Sequence, residues 1–194
     1  MRKPVSRLLT LALLAVAVFT IPNGFGDLRH EAMEYLGYGL LIAAGLGRIW
    51  CTIYIAGRKD RVLCTDGPYS ICRNPLYFFS FIGVIGVFMA LQTISLTLVA
   101  GSLYLLYYRR VIQSEQNRLA ALFGPAFEAY QQTTPRFWPA FHNYHLDQLE
   151  RTISTRIVER GLREVVWFFI MILFIALLEY IHLSKHLVAA TLPF

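Results

Sequence analysis

Long apolar stretches recur along this chain, and they limit the folds that it can adopt more than any other feature. The stretch Tyr35–Ala56 is long enough to cross a bilayer, which takes about 20 residues at 1.5 Å each. The others are Leu8–Ile21, Leu76–Leu91, Ile94–Tyr108 and Val165–Leu183. Hydrophobic residues make up 56% of the chain, more than a soluble domain usually carries. The pattern predicts one all-α, polytopic integral membrane domain over residues 1–194, with about five transmembrane helices.

The two central stretches predict a tight helical hairpin, because only residues 92–93 separate Leu76–Leu91 from Ile94–Tyr108. We expect Gly83 and Gly86 to let its two arms pack closely. Small residues at every fourth position also predict a close contact for Tyr35–Ala56. They are Gly39, Ala43 and Gly47.

The two ends of the chain suggest further membrane contacts. We interpret Leu8–Ile21 as a retained span rather than a cleaved signal peptide, because no convincing cleavage site follows it. Apolar residues recur at helical spacing in Leu146–Leu162 and predict an amphipathic helix on the membrane surface. The alternative is a soluble helix that packs on the catalytic region. In the last span, Glu179, His182 and His186 share one face, but no other cluster would complete a metal site.

The distribution of charge indicates orientation rather than nucleic-acid binding. The formal net charge is +6, yet no basic stripe is interleaved with aromatic residues, so we expect no nucleic-acid partner. The basic residues lie at the ends of the apolar stretches on one side, which the positive-inside rule assigns to the cytosol. They are Arg2, Lys3, Arg58, Lys59, Arg61, Arg109 and Arg110. Arg48 lies inside an apolar stretch, where a charge is costly, so it is a functional candidate unless it extends to the near interface.

A polar motif, residues 66–77, runs directly into the third apolar stretch. Asp66-Gly67-Pro68 is a strong turn signal, and Asn74-Pro75 is typical of a helix start, with Asn as the N-cap. We expect the N–H groups of Leu76 and Tyr77 to be free of partners inside the helix. With Arg73 beside it, such a helix end suits an anion such as a carboxylate or phosphate. The alternative is an ordinary capped membrane helix.

A second motif follows the hairpin on the same side of the membrane. It contains Glu115, Leu119, Phe123-Gly124, Tyr130 and Pro135-Arg136. Together the two motifs resemble the isoprenylcysteine carboxyl methyltransferase and phospholipid methyltransferase superfamily of integral membrane enzymes. The first matches that superfamily at Gly67, Tyr69, Arg73, Pro75 and Tyr77. The second matches it at Glu115, Leu119, Phe123, Gly124, Tyr130, Pro135 and Arg136.

The resemblance covers residues 60–139, which it implies to be the catalytic region. Residues 140–194 then hold the amphipathic helix and an extra span. The chain departs from the superfamily pattern at four positions, which are Asn74, Phe79, Gln116 and Phe127. These departures bear on the identity of the acceptor more than on the cofactor.

The resemblance implies an S-adenosyl-L-methionine-dependent methyltransferase that acts on a lipid-like or prenylated acceptor and faces the cytosol. The cofactor residues it implies are Tyr69, Arg73, Asn74, Pro75, Tyr77, Glu115, Phe123, Gly124 and Tyr130. We expect the cofactor's carboxylate near Arg73 and the start of the helix. A carboxylate acceptor would need orientation by Arg48 or Arg136, whereas an amine acceptor would need a base, for which Glu115 is the candidate.

Two other functions stay open at this point. Integral membrane sterol reductases carry a related element and use NADPH, but here Phe79-Ser80 follows it in place of Gly-Glu. A non-catalytic membrane scaffold is the other alternative, because Gln116 replaces the second acidic residue of the motif. Membrane lipids are the expected partners under all these hypotheses, and a homodimer is open.

Overall fold

The computed structural model of this protein describes residues 20–22, 28–58, 60–146, 155–185 and 190–192. Helices account for nearly all of the secondary structure in these ranges. In chain order they are α1 (Leu28–Ile55), α2 (Pro68–Ile71), α3 (Pro75–Ala90), α4 (Ile94–Phe123), α5 (Pro125–Thr133) and α6 (Thr155–Lys185), with a 3₁₀ turn at Phe141–Asn143. One short parallel pair joins strand β1 (Thr20–Pro22) to strand β2 (Ala190–Leu192). The packed core is therefore helical, as the sequence predicts.

By length and composition, two helices of the described ranges could cross a membrane. They are α1 and the Gly161–Tyr180 part of α6. Helix α3 is apolar but has only 16 residues, and α4 turns polar at Arg109 well before its end. Two candidates are fewer than the five predicted spans, because α3 is too short and the apolar part of α4 ends at Tyr108. Most of the predicted first span, Leu8–Ile21, lies outside the described residues.

Several helix boundaries differ from those predicted by the apolar runs. Helix α1 begins at Leu28, ahead of the apolar run, and α4 continues through its arginines to Phe123. Residues 155–162 of the predicted amphipathic helix do not form a helix of their own. They are the first turns of the candidate membrane-span helix α6. Residues 147–154 of the predicted helix lie outside the described ranges. Hydropathy marks where a helix becomes apolar, whereas hydrogen bonding decides where it begins.

Helices α1 and α3 approach each other so closely that only glycine fits at their contact. A Cβ atom on Gly37 would lie 2.3 Å from the backbone nitrogen of Ala90. A Cβ atom on Gly86 would lie 3.0 Å from the carbonyl oxygen of Gly37. The predicted packing face on α1 was wrong at Gly39, which has no neighbour within 4 Å, and at Ala43, which is exposed.

The glycines of α3 pack against helices other than the hairpin partner. A Cβ atom on Gly83 would lie 2.5 Å from the ring of Phe168 in α6 and 3.3 Å from Ala44 in α1. In the hairpin itself the close position is Gly101 of α4, which faces Ile85. The three helices α1, α3 and α6 thus form the core, centred on Leu41, Ala90 and Ile175.

Candidate active site

A cavity of about 290 Å³ lies where the polar ends of α3 and α4 meet α1 and the segment 60–64. Its volume is close to the lower end of the range for small-molecule sites, roughly 300–1,000 Å³. Most of the site residues that the sequence predicts line this cavity. They are Arg48 from the second apolar stretch and, from the two motifs, Tyr69, Arg73, Asn74, Pro75, Tyr77, Glu115, Phe123 and Tyr130. The fold therefore brings together side chains that are far apart in sequence.

Backbone hydrogen bonds hold the two motifs against each other. The segment after α5 runs antiparallel to residues 67–73 of the first motif and is bonded to them. The Arg73 N–H donates to the carbonyl oxygen of Pro135 at 2.9 Å, and the Ala140 N–H donates to that of Ile71 at 2.8 Å. The Gly67 N–H donates to the carbonyl oxygen of His145, also at 2.8 Å. These bonds satisfy buried polar groups and fix the floor of the cavity.

The Asn74 side chain does not cap α3, so the predicted capping role was wrong. Asn74 occupies the N-cap position, but no side-chain cap bond forms. Its amide nitrogen donates instead to the carbonyl oxygen of Arg136 at 2.8 Å. The Tyr77 N–H donates to the carbonyl oxygen of Asn74 at 3.1 Å. The prediction that this N–H is free was therefore wrong. The buried Asn74 side chain thus ties the helix start to the second motif.

Two buried polar atoms in the wall of the cavity have no hydrogen-bond partner within the described ranges. They are the hydroxyl oxygen of Tyr69 and the Nε of Arg73. Burial raises the pKa of the Tyr69 phenol well above its ordinary value, so the group is a neutral hydroxyl. Burial also lowers the pKa of Arg73; Tyr130 opposes this shift and Arg136 adds to it. Unpaired buried groups are costly, and at a cavity wall they suit a polar ligand.

The acidic side of the cavity is held by an arginine that the sequence did not single out. Arg118 forms one ion pair with Glu115 and another with Asp60, each at 2.6 Å. Both carboxylates line the cavity. Asp60 has a positive φ of 64°, and it belongs to the connection between α1 and α2. Arg118 therefore fastens that connection to α4. The sequence did carry a signal for this ion pair, because Glu115 and Arg118 are three residues apart on a helix and therefore lie on the same face.

Tyrosine rings and Arg48 form the deeper wall. The Nη1 of Arg48 donates to the Oγ of Ser80 at 2.5 Å, so this arginine points toward the cavity. The ring of Tyr108 lies 5.3 Å from that of Tyr77 and stacks on that of Tyr104 at 4.1 Å. Sequence reasoning missed Tyr108, which it noted only as the end of the apolar stretch Ile94–Tyr108.

Two predicted site residues lie apart from this cavity. Gly124 separates α4 from α5 with a φ of 48° and is not among the lining residues. Arg136 lines a second cavity of about 230 Å³ with Arg109 and the aromatic pair Phe137 and Trp138. Tyr108 lines both cavities. Within the described ranges no cluster of His, Cys, Asp or Glu could hold a metal ion, and His186 lies outside them.

Apolar helices that end around a cavity with basic, acidic and tyrosine walls agree with a known class of protein, the membrane methyltransferases. A family model described as "Phospholipid methyltransferase" matches residues 42–126. The chain belongs to the isoprenylcysteine carboxyl methyltransferase and phospholipid methyltransferase superfamily.

One named relative supports this membership, and two others carry metal-resistance names. The chain is 32% identical over 103 residues to the "Protein-S-isoprenylcysteine O-methyltransferase" of Schizosaccharomyces pombe, covering 53% of this chain and 43% of the relative. It is 34% identical over 162 residues to "Cobalt-zinc-cadmium resistance protein CzcN" of Cupriavidus metallidurans, covering 84% and 74%. It is 37% identical over 148 residues to "Nickel-cobalt-cadmium resistance protein NccN" of Alcaligenes xylosoxydans xylosoxydans, covering 74% and 65%. No solved structure matches the chain significantly.

Proposed function

We propose that this protein uses S-adenosyl-L-methionine to methylate a lipid-like or prenylated acceptor at the cytosolic face of a membrane. The observation that carries the proposal is the cavity in which the unpaired Tyr69 hydroxyl and Arg73 Nε lie in one wall and Glu115 lies in another. Superfamily membership agrees with methyl transfer and not with the reductase alternative.

The residues present fit the chemistry of this cofactor. When bound, the cofactor supplies a methyl group activated by a sulfonium cation, and it also carries a carboxylate and an ammonium group. Arg73 offers an unpaired donor that suits the carboxylate, and a charge-assisted bond of this kind is about twice as strong as a neutral one. Glu115 and the faces of Tyr77 and Tyr108 suit the cationic groups.

The main catalytic task of this chain is to hold the two reactants in line and to exclude water. Such positioning can contribute about 7–11 kcal/mol to lowering a barrier. The Arg73–Pro135 and Ile71–Ala140 backbone bonds hold the segment that carries Arg73 in place for that task. Arg48 would orient an anionic acceptor from the deeper wall. For an amine acceptor, Glu115 would take the proton.

The membrane location is part of the proposal. Exposed apolar side chains cover the outer faces of α1, α4 and α6, including Leu46, Leu106 and Trp167. A continuous apolar exterior of this kind favours burial in lipid. The arginines beside the cavity favour a cytosolic position for the site. An acceptor with an apolar chain could then reach the cavity from the bilayer.

Two relatives carry metal-resistance names, but the proposed function does not include metal binding. The described part of the chain offers no metal-ligand cluster.

The test uses the full chain in lipid nanodiscs. Calorimetric titration with S-adenosyl-L-methionine measures binding, and transfer of a labelled methyl group to a membrane lipid extract measures activity. We expect Arg73→Ala and Glu115→Gln each to weaken binding at least tenfold. The matched control is Glu128→Gln, because Glu128 is exposed on α5 and lies outside the cavity. Wild-type affinity in both cavity variants, or an equal loss in the control, would overturn the proposal.

A further inference from the structure

The second cavity has a charged end and an apolar end. It lies between α4 and residues 136–138, with a volume of about 230 Å³. Arg109 and Arg136 line one part of it, and Leu105 and Trp138 line another. Leu105, Tyr108, Arg109 and Ile112 are spaced i, i+3, i+4 and i+7, so a single face of α4 presents them all.

No described residue of the lining supplies a countercharge at the charged end. None of the described residues that line this cavity is acidic. The Nη2 of Arg136 donates to the carbonyl oxygen of Arg109 at 3.3 Å, which uses one of the five N–H donors of the guanidinium. Two guanidinium groups at one cavity repel each other unless an anion lies between them. Planar guanidinium groups are well suited to bind phosphate through paired bonds.

The apolar end is built from aromatic rings that remain open to the surroundings. Phe137 packs against Phe78 and Phe81 of α3, with ring centroids 5.9 Å apart in both pairs. Trp138 packs edge-on against Phe81 at 6.0 Å, yet 61% of its surface is exposed. An exposed tryptophan beside arginines is typical of the level of the lipid headgroups.

We propose that this second cavity binds the phosphate group of an anionic phospholipid, with an acyl chain lying along Leu105 and Trp138. Charge complementarity favours this occupant, since the described lining of the cavity has two cations and no acid beside an open apolar surface. The site goes beyond methyl transfer, because neither Arg109 nor Arg136 lines the reaction cavity. It rests on the proposed membrane location alone. Tyr108 lines both cavities, so the bound lipid would lie against the wall of the reaction cavity.

The experiment follows the fluorescence of Trp138 in the full chain. The protein is reconstituted in phosphatidylcholine vesicles that contain increasing fractions of brominated phosphatidylglycerol or, separately, brominated phosphatidylcholine. Bromine quenches a tryptophan that it touches. The signal of Trp50 and Trp167 is measured in the Trp138→Phe variant and subtracted. We expect the Trp138 signal to be half quenched at a several-fold lower fraction of the anionic lipid than of the neutral one.

Substitutions at the charged end identify the cause. Arg109→Gln together with Arg136→Gln should abolish the preference for the anionic lipid. Arg109→Gln alone should reduce it at least threefold while keeping the hydrogen bond from Arg136 to the backbone of residue 109, so it also serves if the double variant misfolds. The matched control is Arg110→Gln, because Arg110 is an exposed neighbour that does not line the cavity.

Three outcomes would overturn the proposal. One is equal quenching by the two brominated lipids, and another is an equal loss of preference in Arg110→Gln and Arg109→Gln. The third is reversal of the quenching by millimolar inorganic phosphate, which would indicate a site for a soluble anion. None of these readouts depends on methyl transfer, so the proposed reaction can fail while the lipid site stands.

Discussion

The hydroxyl group of Tyr130 donates a hydrogen bond of 2.5 Å to the main-chain carbonyl oxygen of Tyr69. The two residues are 61 positions apart, and the bond is buried. It joins the second motif to the first at the cavity, which both residues line. The side chain of Tyr130 therefore positions the backbone that presents the unpaired hydroxyl of Tyr69.

Replacing Tyr130 with Phe should destabilise the protein by about 1–3 kcal/mol, because it leaves a buried carbonyl group without its donor. Thermal unfolding of the detergent-solubilised chain measures the effect. Tyr35→Phe is the matched control, since 71% of the surface of Tyr35 is exposed. Equal melting temperatures for the two variants would contradict the role given to this bond.

Replacing Gly67 with Ala should be among the most disruptive single changes in the first motif. A Cβ atom there would lie 1.9 Å from the ring of Tyr54, and φ is +58°. Gly57→Ala separates the effect of backbone strain from that of the steric clash. Gly57 also has a positive φ, of +75°, but a Cβ atom there would have no neighbour within 4 Å. We expect Gly57→Ala to lose about 1 kcal/mol of stability from backbone strain. Gly67→Ala should lose several times more, as measured by unfolding in denaturant.

Replacing Arg118 with Gln should raise the KM for the methyl donor and leave kcat nearly unchanged. The change releases Asp60 and Glu115, and exposed ion pairs contribute about 0.2–1 kcal/mol each. A rise in KM of roughly two- to fivefold follows from energies of that size. The conservative Arg118→Lys should recover part of the effect, and raised salt should mimic the loss in the wild type.

The control for that series is Arg110→Gln, which removes an exposed arginine from the same helix. A fall in kcat with no change in KM in Arg118→Gln would show that Arg118 does more than position Glu115.

The Cys72 thiol should make the protein less stable at alkaline pH. Burial raises the pKa of this thiol from 9.0 to about 12. Between those values the unfolded chain loses the proton and the native chain keeps it. The free energy of unfolding therefore falls as pH rises above about 9, by up to about 1.4 kcal/mol per pH unit for this group.

Cys72→Ala should flatten that part of the pH profile. Unfolding in denaturant at pH 8, 9.5 and 10.5 measures the slope, and the value at pH 8 gives the packing cost of the substitution. Buried tyrosines such as Tyr69 and Tyr130 have raised pKa values as well, so some slope will persist. A variant whose slope equals that of the wild type would show that Cys72 ionises without unfolding.

The sequence by itself determined which segments are helical and where the two motifs lie. Apolar runs and turn residues mark their own positions, since hydropathy and backbone propensity act over a few residues. The end of α4 at Phe123, for example, follows from Gly124-Pro125, because Gly124 takes a positive φ and Pro125 can begin the next helix. Part of the cavity lining also comes from the two predicted motifs, since Arg73, Tyr77 and Glu115 all line it.

The tertiary structure alone decided which partners these residues have. Asn74 has the residue type and position of a helix cap, but its side-chain amide donates to the carbonyl oxygen of Arg136 instead of capping the helix. Gly83 and Gly86 fit a hairpin contact equally well, yet they pack against α6 and α1. The role of Arg118 depends on its ion pair with Asp60 at 2.6 Å, which the fold of the connection between α1 and α2 creates. These contacts depend on distances between segments that are remote in the chain, and such distances cannot be predicted from local sequence.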